Sequence, residues 1–146
     1  MNNLYMAMGG HNKIRQLTET FLKKAMADDL LGKLFAGKFD HAAYIGSYFD
    51  ANFGGPTDYF KERGDLRFLL AKHVGMSISE KQRARWVQLM LTSAREVGIP
   101  EYAVATFGQY LEGTSRSTMA FSNVSPVAAL AQLGYVEAPK PLVDEH

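Results

Sequence analysis

Residues 79–98 read SEKQRARWVQLMLTSAREVG, and the spacing within this stretch decides the fold class. Ser79 precedes Gln82 by three residues, the pattern in which a hydroxyl and an amide side chain cap a first helical turn reciprocally. Trp86, Leu89, Met90, Ser93 and Val97 recur at intervals of three and four, which predicts one inner face of a helix. Gly98 closes that helix, and Ile99-Pro100 restarts another at its first position, where the proline's missing N–H is not needed. The second helix presents Val104, Phe107, Leu111, Ser115 and Thr118 or Met119.

Upstream the same period continues. Ile14, Leu17, Phe21, Leu22 and Ala25 share one helical face. A short piece from Asp28 to Phe35 follows, punctuated by Gly32 and Gly37, with Asp28-Asp29 read as a solvated turn rather than an acid/base pair. Asp40 is the expected N-cap of a helix striped by Tyr44, Ile45, Tyr48, Phe49 and Phe53, which Gly54-Gly55-Pro56 stops. Arg63-Gly64-Asp65 reads as a turn, Leu66 to Ala71 as a short helix running into His73, and Val74 to Ile78 as a loop. Beyond Asn123 the prolines at 126, 139 and 141 interrupt regular structure. No segment alternates as a strand would. The expectation is an all-α domain over residues 1–123, followed by an extension, 124–146, partly helical or frayed.

Composition narrows the chemistry. The chain has 146 residues, enough for one compact domain, with 47% hydrophobic and 21% charged residues. Its net charge of +1 is too balanced for a general nucleic-acid clamp. No apolar run is long enough to span a membrane, and the N-terminus shows no signal-peptide pattern, so a cytoplasmic location is expected. Cysteine is absent, which removes thiolate zinc sites, iron–sulfur clusters and cysteine nucleophiles. No dinucleotide-binding, phosphate-loop or nucleophile-elbow pattern occurs.

What remains is four histidines, at 11, 41, 73 and 146. His11 and His146 lack local support as ligands. His41 opens a helix with an aromatic inner face, and His73 ends an apolar helix before a Val-Gly loop. A histidine ending a helix is ordinarily a surface residue that suits the macrodipole. A single neutral imidazole also satisfies one axial position of a haem iron, whereas protein-bound zinc needs three or four side chains. Phe35, Phe39, Tyr44, Tyr48, Phe49, Phe53 and Trp86 offer an apolar lining, although such stripes are ordinarily core. On the residues alone, a plain helical bundle is the stronger reading.

A set of ordered motifs resembles the truncated haemoglobins, the two-over-two helical globins, and most closely their group II. Gly9-Gly10, Phe21, Phe35, Gly54-Gly55-Pro56 with Tyr59, Glu62-Arg63-Gly64, His73 with Ile78 five residues on, and Trp86 thirteen beyond His73 fall in the family's order and gaps. They cover residues from about 4 to 123.

This resemblance implies a shortened globin-like fold carrying haem b (iron protoporphyrin IX), with His73 as its proximal ligand. It places Phe35 flat against the porphyrin and the Trp86 indole in the distal pocket, with Arg67 or Lys72 near a propionate. It implies reversible binding of dioxygen and other diatomic ligands, nitric oxide or carbon monoxide, with peroxide as a further small ligand. Redox turnover, as nitric oxide dioxygenase or peroxidase, is the alternative, and a haem-free interaction module the third reading. Any reductase is a separate partner, and the protein is a monomer or homodimer. Three departures stand out. Leu22 occupies the family's distal tyrosine position, His41 falls near the distal position of the next helix, and Tyr44 replaces a commonly basic propionate partner, with Ile45 over the ligand. His41 then has three readings: hydrogen-bond donor to a ligand, direct iron ligand, or a residue that merely decorates a helix start. Tyr44 or Tyr48 offers a hydroxyl instead.

Overall fold

Ile14, Leu17, Phe21 and Ala25 lose all solvent exposure in the computed structural model, which describes residues 4–35, 40–57, 70, 73, 75–125, 128, 131 and 134. Their helix, α2 (Gly10–Met26), follows a single short turn, α1 (Leu4–Ala7). A 3₁₀ turn over Gly32–Phe35 leads to α3 (His41–Asn52), and the long helices α4 (Glu80–Glu96) and α5 (Glu101–Asn123) complete the set. No strand occurs among the described residues. The pair α2/α3 is layered on the pair α4/α5, with α2 lying across α4. Phe49 and Phe53 stack at 5.3 Å, and Phe107 meets both ring faces edge-on at 5.3 and 5.8 Å. That aromatic block joins α3 to α5.

The expected caps are present. The Asp40 carboxylate accepts from the Ala43 N–H at 3.0 Å, and Ser79 with Gln82 forms the complete reciprocal capping box. Pro100 is the N-cap of α5 rather than its first helical residue, a shift of one position. The inner face of α4 also differs from expectation. Arg83, Val87, Leu89, Met90, Ser93 and Ala94 are buried, whereas Trp86 and Val97 are only half-buried. Arg83 enters because its charge is satisfied on both sides. Its guanidinium meets Glu80 at 2.8 Å, Glu112 of α5 at 2.9 Å and the Ser115 hydroxyl at 3.2 Å. The Glu80 carboxylate in particular keeps it firmly protonated.

The Gly54-Gly55-Pro56 turn has two separate physical causes. Gly54 sits at φ +101°, a conformation that a side chain would strain. Gly55 is required by a neighbour, since an added Cβ would lie 2.5 Å from the Tyr5 ring and 3.0 Å from the Asp50 carbonyl. Tyr5 is fixed there by its own N–H to the Phe53 carbonyl at 2.8 Å, and its hydroxyl accepts the His11 N–H at 3.0 Å. His11 in turn reaches the buried Asp50 carboxylate at 2.7 Å. This histidine therefore ties α2 to α3.

Gly55→Ala should destabilise the fold by about 1–3 kcal/mol, the usual cost of overpacking. The cost should shrink when Tyr5→Ala is combined with it, measured as a coupling energy in chemical denaturation.

Candidate functional site

Phe21 anchors the first wall of the site. Its ring meets Phe35 edge-on at 5.6 Å and Trp86 at 6.1 Å, and Phe35 meets the His41 imidazole at 5.2 Å, also edge-on. Side chains from α2, the 3₁₀ turn, α3 and α4 thus form one continuous ring cluster. Phe21 is fully buried and His41 keeps 8% exposure, while Phe35, Tyr44, Ile45 and Trp86 are half-buried with one side packed on the core. Tyr48 lies within the core itself. Leu22, at the position where the sequence resemblance expects a tyrosine, is half-buried on α2.

Two polar links hold this wall, and neither was read from the sequence. The buried Thr18 hydroxyl donates to the Ala42 carbonyl at 2.9 Å, fixing the first turn of α3 where His41 stands. Asp28 fixes the turn that delivers Phe35. One carboxylate oxygen accepts the N–H groups of Leu30 and Leu31 at 3.1 and 3.2 Å. The other takes the Arg85 guanidinium at 2.7 Å, next to Trp86. The hydrogen bond from Arg85 holds the Asp28 carboxyl below the usual carboxylate range. Asp28 is therefore a structural pin, which corrects its reading as part of a solvated turn.

Burial pushes the His41 imidazole below its ordinary value of 6.5, with the Asp40 carboxylate pulling the other way. His41 is accordingly neutral at pH 7, with one ring nitrogen able to donate and one able to accept.

The segment around His73 carries the ligand expected from the sequence resemblance. Leu70 and His73 are both helical, Leu70 buried and His73 half-buried. The His73 carbonyl accepts the Met76 N–H at 3.1 Å and closes the turn that follows it. The loop that follows faces the segment before Phe35 across an open cleft of about 470 Å³, lined by Leu30, Leu34, Met76, Ser77 and Gln82 among others. The Gln82 side-chain amide bridges the cleft to the Leu30 carbonyl at 3.2 Å. The expected propionate partners Arg67 and Lys72 lie outside the described residues, as do Phe39, Tyr59 and the Glu62-Arg63-Gly64 run.

The bacterial-like globin family model matches residues 3–116. The chain is a bacterial-like globin. Among solved structures it is similar to the haemoglobin of the thermophilic phototrophic bacterium Chloroflexus aurantiacus. That match is 27% identical, with a TM-score of 0.73 over 80% of this chain and 96% of that one. The group II truncated haemoglobin of Bacillus anthracis matches at 22% identity and a TM-score of 0.73, over 79% of this chain and 88% of that one. A thermostable haemoglobin from the actinobacterium Thermobifida fusca matches at 22% and 0.71, over 80% and 95%. No curated protein sequence matches the chain. The truncated-haemoglobin fold expected from the motifs is therefore the fold observed.

This family implies a haem cofactor, and the side chains of this globin fit one. Half-buried aromatic rings packed on the core contribute apolar surface, and His73 is an imidazole of the type that ligates haem iron. Among the described residues no group of three or more His, Cys, Asp or Glu side chains could hold a bare metal ion. The donor set thus suits a metal that brings most of its own ligands. No helix among the described residues is long and apolar enough to cross a membrane.

Because the folded His41 is harder to protonate than the unfolded one, its contribution to stability is complete above the unfolded value near 6.5. It is lost as pH falls from there towards the lowered folded value. Thermal unfolding of the haem-free globin between pH 7 and 5 should therefore show a steeper loss of stability in the wild type than in His41→Leu.

Proposed function

We propose that this globin binds haem b through His73 and takes dioxygen reversibly beside the wall formed by Phe35, His41 and Trp86. Nitric oxide and carbon monoxide belong to the same class of diatomic ligands, and peroxide is a further small ligand. The observation that carries this reading is the ring cluster itself, which brings a buried neutral imidazole and an indole to one apolar surface in a globin. Bound haem iron would supply reversible coordination of small diatomic molecules and, given a reductant, redox turnover. The chain's own residues then divide the work. His73 holds the cofactor from one helix, and Phe35 and Ile45 exclude water. His41 and Trp86 offer N–H groups where the family's tyrosine hydroxyl is replaced by Leu22. Tyr44 and, from the sequence, Arg67 and Lys72 are the candidate propionate contacts.

A redox role is the second reading, and His41 favours it. A neutral imidazole held by burial can accept a proton from a ligand and return it, as peroxide cleavage requires. No nucleotide-binding motif accompanies it, so the reductase for such turnover would be a separate protein. In this reading of the chain, residues 1–123 form the haem domain and 124–146 an extension, the protein is cytoplasmic, and it acts as a monomer or homodimer.

Optical spectra of the haem-titrated protein, ferric and then ferrous, test the proposal. The wild type should take up one haem per chain with a strong Soret band, and His73→Ala should lose the axial-histidine signature. Failure of the wild type to bind stoichiometric haem would leave the haem-free interaction module. For the distal wall, His41→Ala and Trp86→Phe should each speed ligand dissociation by roughly tenfold, the equivalent of one lost hydrogen bond. Unchanged rates in both would remove those side chains from the ligand site.

A further inference from the structure

The loop behind His73 is held by the far end of another helix. At the last turn of α5, the Ser122 carbonyl accepts the Ser77 N–H at 3.0 Å. The Ser122 hydroxyl accepts the Ile78 N–H at 3.0 Å while donating to the Met119 carbonyl at 2.7 Å. The Asn123 amide donates to the Ile78 carbonyl at 2.7 Å and to Met119 at 2.9 Å. Both backbone groups of Ile78 are thus taken by two adjacent side chains 44 and 45 positions away.

We propose that Ser122 and Asn123 are positioning residues that clamp the 77–78 backbone and thereby set how His73 presents its imidazole to the cofactor. The inference rests on His73 as the proximal ligand. Helix C-termini leave carbonyls without intrahelical partners, and these are commonly satisfied by a glycine turn or by water. Here a loop supplies the partner. Ser77 stands at φ 54°, a left-handed conformation that a serine keeps only where its surroundings enforce it. Ser122 is 1% exposed, so its hydroxyl bonds are shielded from competing water.

The connection to His73 is short. Between the clamp at Ser77 and His73 lie three residues, and the Met76 N–H to His73 carbonyl bond closes that turn. On its downstream side the loop is stopped by the Ser79–Gln82 capping box of α4. With both ends of the loop fixed, the backbone that carries His73 is restrained from its C-terminal side. Groups that orient a ligating histidine from outside its coordination shell tune the bond it makes.

Resonance Raman spectroscopy of the ferrous, haem-loaded full chain tests this through the iron–histidine stretching band. The variants are Ser122→Ala, Asn123→Ala and, as control, Ser117→Ala, whose exposed hydroxyl donates within α5 to the Gly113 carbonyl. Asn123 is exposed, so its variant remains informative if Ser122→Ala does not fold. In both clamp variants the band should shift or broaden, and in Ser122→Ala, which removes the acceptor of the Ile78 N–H, amide exchange there should accelerate by about tenfold, one hydrogen bond's equivalent. Ser117→Ala should change neither. Faster exchange with an unmoved band would show that the clamp holds only the loop, and would overturn the inference. A band retained in His73→Gly would instead remove the proximal reading on which it stands.

Discussion

The Phe21 ring is the contact on which the site depends. It is fully buried on α2, and its two edge-on partners, Phe35 and Trp86, come from segments about fifty residues apart in the chain. Through Phe35 it also governs His41. Truncating a buried phenylalanine typically costs about 3–5 kcal/mol, a large share of the 5–15 kcal/mol that holds an ordinary domain together. More important for function, the edge-on geometry constrains the angle of both neighbouring rings. The ring cluster is therefore continuous with the hydrophobic core.

Around that apolar centre the joints are polar. Thr18 ties α2 to α3 at Ala42, Asp28 with Arg85 ties the 3₁₀ turn to α4, and Ser122 with Asn123 ties α5 to the loop after His73. Each joint ends within a few residues of a side chain of the candidate site. Apolar packing tolerates small slides, whereas a hydrogen bond at about 3 Å does not. The arrangement gives burial the role of holding the helices together and gives hydrogen bonds the role of fixing the register between them.

Local signals explain what the sequence alone makes legible. The capping box at Ser79, the cap at Asp40 and the stripe from Ile14 to Ala25 depend on neighbours three or four residues away, so spacing exposes them. Arg83 was invisible because a charged residue does not count towards an apolar stripe, although Glu80, Glu112 and Ser115 make its burial acceptable. The reason for Gly55 lies in Tyr5, fifty positions earlier. Asp28 looked like a solvated turn because Arg85 is 57 residues away. Ser122 and Asn123 carry no motif and owe their role to a contact across the fold. Phe21, Phe35 and Trp86 are legible as family motifs and His41 as a departure from them, whereas the ring contacts through which Phe21 links the other three in space are not.

A crystal structure of the haem-loaded chain bears most directly on the account. It should show the iron bonded to the His73 imidazole, with Phe35, His41 and Trp86 around the ligand side of the macrocycle. Iron held by a different side chain, or a haem lodged away from the Phe21–Phe35–Trp86 cluster, would contradict it.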